Sequence, residues 1–286
     1  MNARYTLLGL FALLAASCSQ EENAILDNVA QEVRVSAGIS TNTRVALNDY
    51  GGDYTYTHWR DGDEIALFTD TQSNLVYSTT IGNTGLTWDS TYVDFTPKGE
   101  ALKNVEGGTV YACYPGITAA DGLVVSMPST KAFKYDNGVI PSFAYAVGTI
   151  SEGNVSFTFK HISAFLNLTL LPTLFETSSS EPISSIVVST SSSQPLSTGE
   201  WDTFDFSTLT ANVTSGSNSV EVYTDNYLLT SPWIVYVPVL PQPADASITI
   251  TLKGTNGATL YSLTKQAPDT GLLAGNVYKV TWNESR

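Results

Sequence analysis

Residues able to do chemistry are few in this chain. It holds two histidines, His58 and His161, and two cysteines, Cys18 and Cys113. A zinc site needs about four ligands, and no HExxH or other spaced metal set is present. There is no Gly-x-Ser-x-Gly elbow and no phosphate loop. Acidic pairs stand at Asp61/Asp63 and Asp202/Asp205. Calcium takes roughly six to eight oxygens, more than either pair supplies, so both read as solvated turn carboxylates. The carboxylates of a glycosidase are paired in space and not in sequence, and nothing here favours them. His161 reads as a structural histidine near a strand junction. The chain is therefore expected to be no enzyme and to carry neither metal nor cofactor.

The residue placed for covalent chemistry is Cys18. One positive charge, Arg4, precedes the short apolar run Leu7–Leu14, and the small residues Ala15, Ala16 and Ser17 lead to the cysteine. This is the layout of a secretory signal over residues 1–17. The run is too short to span a bilayer, which takes about 20 apolar residues. The approach to Cys18 resembles the lipobox of bacterial lipoproteins, although Ala15 stands where that family usually has a large aliphatic residue. The resemblance implies cleavage before Cys18 and acylation of its thiol and its new amino group. The other reading is a plain signal cut near Ala16 or Ser17. Glu21 and Glu22 resemble the acidic tag that sends some lipoproteins to the outer face of the outer membrane.

Removing residues 1–17 leaves 286 − 17 = 269 residues, enough for one large domain or two ordinary ones. Apolar residues make up 42% and charged residues only 14%, so the surface is largely Ser, Thr, Tyr and Asn, as in an exported β protein. The net charge of −14 repels phosphate backbones and argues against a nucleic-acid partner. With Cys18 lipidated, Cys113 has no disulfide partner and reads as a small buried apolar residue.

The elements that must carry these residues are strands. Residues 18–31 read as a polar, acidic tether. Val33–Ile39 alternates strictly, with Val33, Val35, Ala37 and Ile39 on one face. Short strands follow at Glu64–Phe68, Leu75–Thr80, Tyr92–Thr96, Thr109–Tyr114, Leu123–Met127, Tyr145–Ile150 and Val155–Phe159. Later strands are expected at Ile162–Leu171, Ile183–Val188, Trp233–Pro241, Ala246–Lys253, Ala258–Thr264 and Val277–Trp282. Asn256-Gly257 marks a hairpin. Regular short strands without a convincing amphipathic helix predict an all-β chain of two tandem sandwiches, each of about 100 residues. The reading places them at 32–154 and 155–286, with a junction that could lie on either side of Val155–Phe159. Aromatic clusters at Trp201–Phe206 and at Tyr223, Tyr227 and Trp233 fit core and edge packing, or a sugar-binding platform.

Five stretches, taken in order, resemble the fimbrillins, the type V pilin subunits and fimbrillin-like lipoproteins of Gram-negative anaerobes. Trp59, Gly62, Asp63, Ile65, Leu67 and Phe68 match the family's Trp-x-x-Gly-Asp-x-Ile-x-Leu-Phe pattern. Val110–Pro115, with Tyr114-Pro115, resembles its Ala-x-Tyr-Pro strand, and Phe143–Ala146 its Tyr-Ala segment. Val155–His161 is similar to its Val-x-Leu-x-Phe-x-His motif, with Phe157 replacing the Leu. Leu273–Tyr278 is similar to its closing Ala-Gly-x-x-Tyr, here Gly275 and Tyr278.

The resemblance implies two transthyretin-like β-sandwich domains and a fimbrial, adhesive subunit at the cell surface. Its partners would be other fimbrial subunits in a homo- or hetero-polymer, the outer membrane through the lipid, and a host or bacterial surface glycan or protein. It also implies cleavage by a trypsin-like protease after an arginine beyond the first strand, with a donor strand from the next subunit filling the groove. Arg44–Val45 is the candidate bond. No separate donor segment follows Trp282, which leaves tip, anchor or accessory roles open. The rival expectation is a non-catalytic, glycan-binding surface lipoprotein.

Overall fold

The computed structural model describes residues 32–39, 48–49, 55–56, 59–81, 92–116, 119–135, 140–174 and 181–280. Cys18, Arg44, Val45, His58 and Trp282 lie outside them. In chain order the strands are β1 (Arg34–Ile39), β2 (Asn48–Asp49), β3 (Thr55–Tyr56), β4 (Glu64–Phe68), β5 (Leu75–Thr79), β6 (Tyr92–Pro97) and β7 (Thr109–Tyr114). There follow β8 (Ala120–Asp121), β9 (Val124–Ser126), β10 (Ala132–Lys134), β11 (Ala144–Thr149), β12 (Asn154–His161), β13 (Ala164–Leu170) and β14 (Ile183–Thr190). The last are β15 (Thr203–Asp205), β16 (Thr210–Asn212), β17 (Ser219–Tyr227), β18 (Trp233–Val239), β19 (Ser247–Gly254), β20 (Thr259–Gln266) and β21 (Val277–Val280).

The chain is all-β, and its main sheets gather round two separate cores, one in each of two lobes. In the first, β1, β12, β11, β7, β4, β5 and β6 close on themselves in that order. The closure follows from alternation. Along β12, Val155, Phe157, Phe159 and His161 are buried while Ser156, Thr158 and Lys160 are exposed, so one face must find a core. That core also holds Val33, Val35, Ala37, Trp59, Ile65, Leu67 and Tyr77.

In the second lobe a five-stranded sheet, β10-β17-β14-β19-β20, faces a three-stranded one, β18-β13-β21. Leu166, Leu168 and Leu170 of β13 meet Val235, Val237 and Val239 of β18 and Ile248, Ile250 and Leu252 of β19 in one core. Pro238 sits in β18, which pairs among the described residues only with β13. An edge strand tolerates a residue with no N–H to donate.

Two segments depart from the partition at 154/155. β12 pairs in parallel with β1 and antiparallel with β11, so the strand falls in the first lobe and the lobes meet near Ile162. The segment between β7 and β11 adds no strand to the first-lobe sheet: β9 pairs with β15, and β10 pairs in parallel with β17. Alternation shows that a stretch is a strand, but not which sheet receives it. A further core lies between the first-lobe barrel and the small four-stranded sheet β16-β15-β9-β8. Ala66, Phe68 and Cys113, on the outer face of the first-lobe barrel, pack with Val125, Met127, Phe143, Phe204 and Phe206. Hence β4 is buried on both faces.

The Asn256-Gly257 hairpin is present, with a three-residue loop. Gly257 alone takes a positive φ, 78°, and its N–H donates to the Gly254 carbonyl. That is a type I turn ending in a left-handed glycine, the next most common solution after the two-residue turn.

Candidate functional site

The Trp-x-x-Gly-Asp stretch is the hub of the first lobe. Gly62 turns the chain at φ 81°, a conformation that only a residue without Cβ adopts freely, and its N–H donates to Thr79. Asp63 Oδ2 accepts the Arg60 N–H at 2.7 Å, closing the turn. Asp63 Oδ1 accepts the Tyr114 hydroxyl at 3.4 Å, tying this turn to the end of β7. Burial pushes the Asp63 carboxyl above its ordinary value, against the Arg60 N–H, the Tyr114 hydroxyl and the Arg60 charge. Burial raises the Tyr114 phenol in turn, and the neighbouring Asp63 raises it further. The Tyr114-Pro115 peptide is cis, and next to it Gly116 N–H donates to the Glu64 carbonyl at 2.8 Å. Trp59 and Tyr114 meet edge to face at 5.6 Å.

This hub holds β1. The strand lies between β6, antiparallel, and β12, parallel. Val33, Val35 and Ala37 are at most 2% exposed, so they fill pockets in the core and do not merely lie on it. The indole of Trp59 reaches the backbone of β1 and packs against both of its neighbours, through Phe95 of β6 and Phe159 of β12. Across the outer face, Ser36 and Ser156 share a hydrogen bond at 2.8 Å, and Arg34 pairs with Asp94 at 3.3 Å in solvent, where such a pair adds little.

The closing motif is local. Gly275 takes φ 78° and its N–H donates to Ser163. The Tyr278 hydroxyl accepts the Leu273 N–H at 2.8 Å and donates to the Gly271 carbonyl at 3.3 Å. The side chain thus fastens the turn that feeds its own strand, in the manner of a tyrosine corner. His161 is buried, packs edge-on against Phe165 at 5.0 Å, and lines an apolar cleft of about 420 Å³ with Tyr145, Phe204, Leu209, Val213 and Leu240. Cys113 is fully buried, as a small apolar residue would be. The structure leaves the lobes' sequence motifs in separate places: the Trp59, Asp63 and Tyr114 group in the first lobe, and Gly275 with Tyr278 at the base of the second.

Asp202 was expected in solvent and is not there. Its side chain is buried, and its carboxylate takes the N–H groups of Gly199, Thr214 and Ser215 and the Ser215 hydroxyl, at 2.7 to 2.9 Å. Burial pushes its pKa up, but these donors together outweigh burial and hold it below the usual carboxylate range. The turn so fixed presents Trp201, 79% exposed. Trp233, by contrast, is half-buried and stacked on Tyr227 at 4.1 Å. Among the described residues no group of three or more His, Cys, Asp or Glu side chains could hold a metal ion.

Two solved structures are similar over nearly their whole length. One is a proposed cell adhesion protein from Bacteroides uniformis, 19% identical, with a TM-score of 0.55, covering 89% of this chain and 93% of that one. The other is a proposed cell adhesion protein from Bacteroides ovatus, 16% identical, with a TM-score of 0.54, covering 87% and 91%. At these identities the likeness is one of fold. No curated protein sequence matches the chain. The model of the fimbrillin-like family matches residues 43–284, across both lobes and all five motifs. On that match the chain belongs to the fimbrillin-like family.

Proposed function

We propose that the chain is a structural, adhesive subunit of a cell-surface fimbria, exported as a lipoprotein anchored through Cys18 to the outer membrane and assembled by exchange of β1 for a strand of a neighbouring subunit. The position of β1 carries this reading. It is the first described strand of the first lobe, it has a neighbour on each side, and its Val35 and Ala37 are buried in the core. Its loss opens a groove with two hydrogen-bonding rims and an apolar floor, the geometry that strand addition uses. The family and the adhesion proteins of similar fold support the same role. Cleavage at Arg44–Val45 would free β1.

The test mixes chain cut at Arg44 by a trypsin-like protease with uncut chain. Ladders that survive SDS without heating support strand exchange, and a cut chain that stays monomeric overturns it. The N-terminal residue of protein recovered from cells separates two states: acylated Cys18 marks an anchored, uncut chain, and Val45 a processed subunit.

Trp201 favours a second reading, a glycan-binding face. A bare indole on a fastened turn suits stacking against a sugar ring. Loss of polysaccharide retention on an affinity gel in Trp201→Ala, with unchanged melting, would support it.

A further inference from the structure

Glycine is a weak choice inside a strand, because it brings no side chain to pack and loses more freedom than other residues. β1 nevertheless has one at Gly38. The residue sits in a regular ladder, opposite Tyr92 of β6 on one side and Thr158 of β12 on the other, so its backbone does not call for glycine. Alternation along β1 turns Val33, Val35 and Ala37 into the core and puts Arg34, Ser36 and Gly38 on the outer face. Arg34 is exposed and Ser36 half-buried, yet Gly38 is buried.

Tyr92 explains the cover. Its hydroxyl shares a hydrogen bond with the Thr158 hydroxyl at 2.7 Å. The two residues are level with Gly38 on opposite sides of β1, two strand spacings or roughly 10 Å apart at the backbone. The tyrosine reaches Thr158 only by lying across β1, over Gly38. A side chain at that position would stand where the ring passes. The ring is 46% exposed, so it has solvent on its outer side and room to swing away once its bond to Thr158 breaks.

β1 is thus held by the core beneath, by β6 and β12 at its sides, and by a strap above. The rims and the floor suit any strand of alternating pattern. The strap discriminates by exclusion, since a strand with a side chain under the ring must break the Tyr92–Thr158 bond to enter.

We propose that Tyr92 and Thr158 set which strand the β1 slot accepts: an extended segment of a neighbouring subunit that is apolar at alternate positions and has glycine level with Tyr92. This rests on the exchange of β1 for such a strand, and adds the residues that select it.

The probes are two fluorescein-labelled peptides, one with the sequence of residues 32–40 and the other the same with Gly38→Val. Each is mixed with chain cut at Arg44, after the protease is inhibited, and uptake is followed by anisotropy. The glycine peptide is expected to enter at least about tenfold more tightly, although valine is the better strand former. In the Tyr92→Ala chain the preference is expected to vanish. If that variant melts early, Thr158→Val, which keeps the ring and removes its anchor, is expected to narrow the preference several-fold. Equal uptake of the two peptides by the wild-type chain, or a preference unchanged in the variants, overturns the strap and leaves strand exchange standing. Uptake of neither peptide overturns both.

Discussion

The indole N–H of Trp59 donates to the backbone carbonyl of Ala37 at 3.0 Å. Ala37 lies in the middle of β1, and the same ring touches Phe95 and Phe159 on the two strands that flank β1. One side chain therefore senses the strand and both walls of its slot.

Trp59→Phe keeps a ring in the slot and removes the donor. A buried carbonyl left without this partner costs about 1–3 kcal/mol. The expected result is faster deuterium exchange in the amides of β1 than in those of β17, with the second lobe unchanged. Equal acceleration in both strands would show that the indole is general packing and not a latch on β1.

Asp202 sets an acid limit. Its carboxylate is held below the usual range in the fold, so its stabilising contribution is present above the unfolded value, about 3.9, and is lost as pH falls toward the folded one. Asn in its place loses charge-assisted bonds worth roughly 1.5–3 kcal/mol each at neutral pH. Denaturation of wild type and Asp202→Asn should converge as the pH drops below about 4. Asp63, raised by burial, works in the opposite sense: it costs stability once ionised, and Asp63→Asn should flatten that part of the curve.

Tyr135 sets an alkaline limit. Burial, then the neighbouring Tyr236, pushes its phenol up to about 12, and the hydroxyl donates to the Ile234 carbonyl at 3.0 Å. An unfolded tyrosine ionises near 10. Between those values the unfolded chain gives up its proton first, so stability present below about pH 10 falls on the way to 12. Tyr135→Phe should lose about 1 kcal/mol at neutral pH and show a shallower alkaline decline in urea midpoints taken from pH 8 upward.

Gly199 has no room for a side chain. A Cβ there would stand 2.1 Å from the Ser215 carbonyl oxygen, a backbone atom that the Asp202 network fixes. Gly199→Ala is expected to lower the melting temperature more than Gly99→Ala, where nothing lies within 4 Å. Similar melting would mean that the turn is looser than its hydrogen bonds imply.

Tyr278→Phe removes the hydroxyl from the turn at Gly271 and Leu273. The expected loss is about 1 kcal/mol, read as a lower urea midpoint with an unchanged slope.

Much of the fold was legible because one-sided burial writes itself into alternation. β12 and β13 stand out in the sequence for that reason. The short strands β8, β10, β15 and β16 do not, since two or three residues cannot display a period. β17 was missed as well: its alternation fades after Val222 into exposed Tyr223, Asp225 and Asn226. The motif residues were legible by type, but what they hold was not. Ala37 contributes a backbone oxygen, which no residue type announces. Asp202 looked like a surface carboxylate because its donors at Thr214 and Ser215 come from another strand end, 12 and 13 residues away.

The partners of β1 also fix an order of events. Ser36 meets Ser156, 120 residues further on, and β6 lies about halfway between. The first strand among the described residues is thus one whose place is completed late, since a non-local pairing bears the cost of loop closure before any contact offsets it. Until β12 exists, β1 has no slot, and the rest of the lobe can assemble as a ring with a gap. A late folding intermediate of this chain would then have a vacancy where β1 belongs, flanked by strands whose backbone groups are still unpaired.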